Sequence, residues 1–292
     1  MNDGSLAARR PPIFIGGMFR SGTSLLRAML GQHGAIAAGL ETYWFEMDFV
    51  GGTGRNGEPL LEYVDRLSAF FDLDAATGRE IAQTSRDSET FLDRFMGTYA
   101  TKLGKRRWAE KTPANVAKAP RIFRRWPQAK VIQIVRDPRD VFASLRETKK
   151  WDDVETFATM WSTIVGGAEE ARRSGDLNSS NYRELRYEAL VLDPVATMRP
   201  LVSFLGEEWD PAVGKFEGSP EEYERVRATT GRASRTLDRL RQPLTDSRVG
   251  TWRTVLPESE VAELRVAAAR RGLEQLYDRF AGEPDFEPVA RT

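Results

Sequence analysis

The stretch Pro12-Ile13-Phe14-Ile15-Gly16-Gly17-Met18-Phe19-Arg20-Ser21-Gly22-Thr23-Ser24-Leu25-Leu26 decides the reading of this 292-residue chain. Its apolar run, Ile13–Gly16, has the length of a buried strand, and residues 24–32 carry Leu25, Leu26, Met29 and Leu30 at helical spacing. A strand, a glycine-bearing turn and a helix together present backbone N–H groups and the positive end of a helix dipole to an anion, so the segment predicts a phosphate cradle. A nucleoside-triphosphatase loop would place Lys between Gly22 and the Ser/Thr pair. Here Thr23-Ser24 follow Gly22 directly and the cation, Arg20, sits inside the loop. That shift points away from ATP hydrolysis and towards a different phosphorylated donor.

Outward from this unit, residues 131–135 form a second apolar strand, with helical text before it at 116–126 and after it at 141–149. Weaker strand candidates lie at 35–39, 107–110 and 182–187. Strands alternating with helices predict a three-layer α/β fold with a central parallel sheet, whose ligands bind at the carboxyl ends of the strands. A Gly-rich loop at 51–57 precedes amphipathic helical text from 60 to 103, read as a helical cap inserted at roughly 58–104 near the acceptor site. A helix at 194–205, an Arg/Glu-rich segment at 219–242 whose charge run at 221–241 reads as a solvated helix rather than a binding tract, and a helix at 258–280 complete a single domain over residues 1–292, with a C-terminal extension from about 206. No internal repeat is present.

Composition narrows the chemistry. Lys+Arg and Asp+Glu are both 43, so no chain-wide polyanion such as nucleic acid is expected as partner, and basic character must be local. The absence of cysteine removes disulfides, thiolate catalysis and Cys-ligated metals. The first eleven residues lack an apolar signal core and no apolar run reaches the ~20 residues of a membrane span, which predicts a cytoplasmic protein. Oligomeric state, homodimer included, is open.

Arg136 stands at the carboxyl end of the 131–135 strand, and Ser144 lies eight residues on, about two helical turns into the next element. A guanidinium and a hydroxyl facing one phosphate, in addition to the first loop, suit a donor with two separated phosphate groups.

These paired segments resemble the sulfotransferases that use 3′-phosphoadenosine 5′-phosphosulfate (PAPS) and release the 3′,5′-bisphosphate (PAP). Arg20-Ser21-Gly22-Thr23-Ser24 matches the family's 5′-phosphosulfate loop, and Arg136 with Ser144 matches its 3′-phosphate segment. Further similar text occurs at Trp108-Ala109-Glu110-Lys111-Thr112-Pro113, at Leu185-Arg186-Tyr187-Glu188-Ala189-Leu190 and at Val249-Gly250-Thr251-Trp252-Arg253. The resemblance implies donor contacts from Arg20, Ser21, Gly22, Thr23, Ser24, Arg136 and Ser144, with Tyr187 near the adenine or in the core, and Arg248 at the phosphates or simply in a loop. No metal is implied.

The acceptor hydroxyl loses a proton as it attacks sulfur, so a general base is required. The single histidine, His33, ends the first helix and reads as a cap or packing residue. Leu40-Glu41-Thr42 resembles the segment that carries the catalytic Glu of tyrosylprotein sulfotransferases, which makes Glu41 the candidate base ahead of Glu46 and Asp48. Burial beside Tyr43-Trp44-Phe45 would raise its pKa. By the same resemblance, Arg20 and Lys111 are the catalytic cations, although Lys111 could instead pair with Glu110. The tyrosylprotein branch follows its Glu-Thr with basic residues, whereas this chain has Tyr43-Trp44-Phe45. The departure favours a small-molecule or carbohydrate hydroxyl as acceptor over peptide tyrosine. A nucleotide-dependent kinase and a non-catalytic nucleotide-binding protein are the alternatives. Trp126, Trp161 and Trp209 read as packing residues.

Overall fold

Segments of three to six residues form five strands, apolar throughout in β1 and β2 and mixed with charged residues in β3 and β5: β1 (Ile13–Gly16), β2 (Ile36–Ala38), β3 (Arg107–Lys111), β4 (Lys130–Val135) and β5 (Tyr182–Arg186). In the computed structural model, which describes residues 10–147, 153–231 and 238–282, they pair in parallel in the order β2-β3-β1-β4-β5. The chain leaves β1 for one side of the sheet and later returns to the other. The loops after β1, β3 and β4 therefore meet at one crevice beyond their carboxyl ends.

Helix α1 (Thr23–Gly31) follows the first loop, and the cap text forms α2 (Leu60–Phe70), α3 (Ala75–Gln83) and α4 (Ser88–Lys102). Asp74 and Asp87 divide that text, because each carboxylate accepts from the backbone N–H three residues on and so starts a new helix. The helix expected at 116–126 is a 3₁₀ turn, Pro113–Lys118, followed by α5 (Ala119–Arg125). Pro113 and Pro120 each suit a first turn, where no N–H is needed, so two starts replace one. Helix α6 (Pro138–Glu147) begins three residues earlier than expected for the same reason, and its predicted end at 148–149 lies outside the described residues.

Beyond α6 come α7 (Val154–Trp161), α8 (Gly167–Arg173), α9 (Tyr187–Leu192), α10 (Pro194–Phe204), α11 (Pro220–Thr230), α12 (Trp252–Val255), α13 (Glu258–Ala269) and α14 (Glu274–Ala281). The helix expected at 258–280 is thus two, separated where Gly272 takes a φ of 70°. Of the 219–242 run, α11 is helical, residues 232–237 lie outside the described residues, and the face is not merely solvated: a half-buried Glu222 pairs with the buried Arg27 of α1. Among the described residues no helix is long and apolar enough to cross a membrane.

The alternation along β1 sends its side chains to two cores. Phe14 packs with Trp44, Trp108 and Trp126, ring centroids 5.2–6.2 Å away, while Ile13 and Ile15 face Leu26, Met29 and Leu30 of α1. Trp161 is buried in a third cluster with Phe142 and Phe280, and Trp209 packs against the α1 side of the sheet. His33 is buried, with Nδ1 accepting from Ala35 N at 3.0 Å, which is the packing role its position predicts. Phe14 stands at the centre of the indole cluster with no polar atom to rehydrate. Phe14→Ala is expected to lower stability by about 3–5 kcal/mol, read as a drop in denaturant midpoint at unchanged slope.

Candidate active site

The loop after β1 is shaped by close backbone approach. Gly17 has a φ of 142°, and a Cβ there would lie 2.3 Å from the carbonyl oxygen of Ile134. Gly22 has a φ of 96° and lies against the ring of Tyr187, where a Cβ would come within 2.5 Å of Cδ2. Gly22 also starts α1 without a side-chain cap and with no acidic residue in the first turn. The free N–H groups of that turn thus stay available to an anion. Ser21 Oγ and Arg136 Nε are buried with no hydrogen-bond partner among the described residues, as expected of groups that meet a ligand.

With the exception of the buried Ser21, every predicted site residue borders one cavity of about 800 Å³: Arg20, Gly22, Thr23 and Ser24 from the loop, then Glu41, Lys111, Arg136, Ser144, Tyr187 and Arg248. Its two ends differ. At one, Arg20 Nε donates to Ser144 Oγ at 3.0 Å, and Arg136 donates to the carbonyls of Arg20 and Arg248 while its guanidinium lies 4.6 Å from the Tyr187 ring centroid. Burial, with Arg239 and Arg136 nearby, lowers the Arg20 pKa to about 10, so it remains a cation at neutral pH. A polyanion relieves that like-charge crowding. Arg248 adds its backbone carbonyl to this end, and its own guanidinium pairs with Glu147 at 3.1 Å.

Asp140 holds this end together. Fully buried, it accepts from Gly250 N at 2.8 Å, Trp252 N at 2.9 Å and Thr251 Oγ1 at 3.1 Å, and it faces Arg136 at 3.6 Å. The Val249-Gly250-Thr251-Trp252 segment is thereby fixed beside the cavity. Asp140 was legible only as context in Arg136-Asp137-Pro138-Arg139-Asp140. Arg239 also lines the cavity, and the sequence had hidden it in a charge run.

At the centre, Lys111 pairs not with Glu110 but with Glu41. Its Nζ donates to Glu41 Oε1 and to Ser24 Oγ, the latter at 3.1 Å, so one ammonium joins the carboxylate to the phosphate loop. Glu110, which points to the opposite face of β3, is fully buried and accepts from Thr42 N and Oγ1, Thr112 Oγ1 and Asn115 Nδ2. It fixes the backbone that carries Glu41. Burial raises the Glu110 pKa against those hydrogen bonds.

For Glu41 the sequence expectation reverses. Burial alone would raise its pKa, but the Lys111 ammonium and hydrogen bonds from Lys111 and Tyr43 outweigh that and hold it below the ordinary glutamate value. The aromatic wall is also smaller than expected: Trp44 is wholly buried in the Phe14 cluster, Phe45 packs beside it, and of the three only Tyr43 borders the cavity. The far end is instead lined by Leu40, Tyr63, Leu67, Phe70 and Val226, with Arg55 and Arg66. Helix α11 crosses there, held by the Arg27–Glu222 ion pair and by Arg225 Nε donating to Phe70 O at 3.0 Å.

The model of the Sulfotransferase family matches residues 11–211, more than half of the chain. The chain belongs to this family and is a sulfotransferase. Its donor is PAPS, and the uncapped helix start, the two buried unpartnered groups and the crowded cations fit such a doubly phosphorylated molecule. The sulfotransferase is 25% identical to protein-tyrosine sulfotransferase A of Caenorhabditis elegans, over 94% of this chain and 70% of that one. It is likewise 25% identical to protein-tyrosine sulfotransferase 2 of Gallus gallus, over 94% and 72%. In fold it resembles the sulfotransferase domain from the Synechococcus PCC 7002 olefin synthase, with a TM-score of 0.67 at 19% identity over 94% of this chain and 98% of that one.

Replacing Asp140 by Ala leaves three donors without their acceptor and Arg136 without its counter-charge. Asp140→Ala is expected to cost about 3 kcal/mol of stability and to reduce PAP affinity at least about tenfold, measured by calorimetry and thermal shift.

Proposed function

We propose that this sulfotransferase moves the sulfuryl group of PAPS to a phenolic hydroxyl, with Glu41 as general base and Lys111 and Arg20 as the cations that stabilise developing charge. The observation that carries the reading is the link Ser24–Lys111–Glu41, which sets a proton acceptor one side chain away from the phosphate loop. In the transfer, the acceptor oxygen forms a bond to sulfur as the bond from sulfur to the phosphate oxygen breaks. The electron pair leaves with PAP, and the hydroxyl proton passes to the Glu41 carboxylate. Fixed cations in a partly dry cavity stabilise the leaving phosphate without reorganising at the moment of reaction. Ser21, Gly22, Thr23, Ser24, Arg136, Ser144, Tyr187 and the Arg248 carbonyl would hold the donor.

The depressed pKa of Glu41 favours a phenol over a sugar. A carboxylate held low is a weak base, and a phenol of pKa about 10 yields its proton far more readily than an alcohol, which resembles water at about 15.7. Tyr43 supports the same choice, since its own phenol already donates to Glu41 Oε2 at 2.5 Å. The apolar far end and its covering by α11 favour a free small-molecule phenol as the carrier. A tyrosyl side chain is the second reading, supported by the names of the relatives and by Arg55 and Arg66 at that end.

Labelled sulfate offered to a panel of phenols, sugars and tyrosine peptides is expected to reach phenols at least about a hundredfold faster than sugars; preferential sugar sulfation overturns the phenol reading. Glu41→Gln should lower kcat by about 10²–10⁴ while PAP still stabilises the protein against heat. Because the base is ionised above its pKa, and that pKa is depressed, kcat/KM at subsaturating donor should stay level from neutrality down into the ordinary glutamate range and fall only below it.

A further inference from the structure

Tyr43 occupies a position its neighbours do not explain by packing alone. Its backbone is left-handed, φ 45° and ψ 36°, a conformation that a bulky side chain rarely adopts. Such strain persists only where the surroundings over-determine it. Here they do: Tyr43 N donates to Thr112 Oγ1 at 3.3 Å, Thr42 before it is clamped by Glu110, and the Arg55 guanidinium lies 3.3 Å from the centroid of the Tyr43 ring. Arg55 in turn faces Glu46 at 3.4 Å, two residues beyond the C-terminal neighbour of Tyr43. The backbone is thus clamped, the ring is held by Arg55, and the Tyr43 hydroxyl donates to Glu41 Oε2.

We propose that Tyr43 is a positioning residue for the general base: its hydroxyl holds Oε2 of Glu41 while Lys111 holds Oε1, fixing the carboxylate plane so that a remaining Oε2 lone pair meets the acceptor hydroxyl. The inference rests on Glu41 being the base. A carboxylate oxygen accepts more than one hydrogen bond, so the acceptor need not displace Tyr43. Burial, followed by the charge of Glu41, raises the Tyr43 pKa, so the phenol stays protonated and remains a donor throughout the working range. The charged groups that face Glu41 are Lys111 of β3, Arg55 of the loop after the Tyr43 segment and Arg27 of α1. Tyr43 is the one neutral donor among these partners, and it can be removed without changing any charge.

The test is Tyr43→Phe, which keeps the ring and its contact with Arg55. Loss of a hydrogen bond to a charged group is expected to lower kcat about tenfold to a hundredfold. It should also move the acid limb of kcat/KM to higher pH, because the ionised base loses a stabilising donor, while PAP affinity is unchanged. In the Glu41→Gln background, Tyr43→Phe should bring no further loss, since it acts through the carboxylate. An unchanged acid limb, or full additivity of the two substitutions, overturns the role of Tyr43 while leaving Glu41 as base. Wild-type activity in Glu41→Gln alone overturns the base assignment itself.

Discussion

The Lys111 ammonium is the interaction on which the rest of the site depends. Placed at the end of β3, it touches a side chain of the loop after β1 and the carboxylate of the candidate base, which otherwise belong to separate segments. Without it, a half-buried Glu41 would drift towards its neutral form, and the loop after β1 would face the acceptor end with no charge between them. The sheet makes this contact possible. Because β3 and β4 flank β1 in parallel, the first residues past each strand end are brought into one crevice, and Lys111 and Arg136 fall on opposite sides of the same loop.

Much of this was legible in the chain because short-range patterns carried it. The continuous apolar runs of β1 and β4 gave the centre of the sheet, and the spacing from Arg136 to Ser144 brought both to one end of the cavity, which all the predicted site residues except the buried Ser21 border. Prolines and Asp caps redrew helix boundaries without altering the architecture, since each changed only where a turn begins. Long-range pairings were less accessible. Whether Lys111 met Glu110 or Glu41 depended on strand pleat and on which face each residue occupies, and only the paired sheet decides that.

The same reason explains the reversal at Glu41. Three aromatic residues in a row suggested desolvation, but their side chains diverge: Trp44 enters the core below, while Tyr43 turns back to the carboxylate through a left-handed backbone. Two buried carboxylates, Glu110 and Asp140, do no evident chemistry yet organise the segments around the cavity, each by accepting several hydrogen bonds. Their sequence signal was faint because an acid inside a charged motif looks like any other until its donors are counted.

The Arg27–Glu222 pair has a consequence for how acceptor preference can diverge. Arg27 belongs to the helix that starts at the donor loop, and Glu222 to the helix that roofs the far end of the cavity. The anchor and the roof are therefore one mechanical unit, while the side chain one turn along, Val226, faces the cavity. Sequence change at Val226 can reshape the space above Glu41 with the tie intact. Change at Glu222 strands a buried guanidinium and is felt at the donor loop as well. With the acceptor at the far end as proposed, drift in its range is channelled to the lining face of α11, while the anchored face keeps α11 tied to α1.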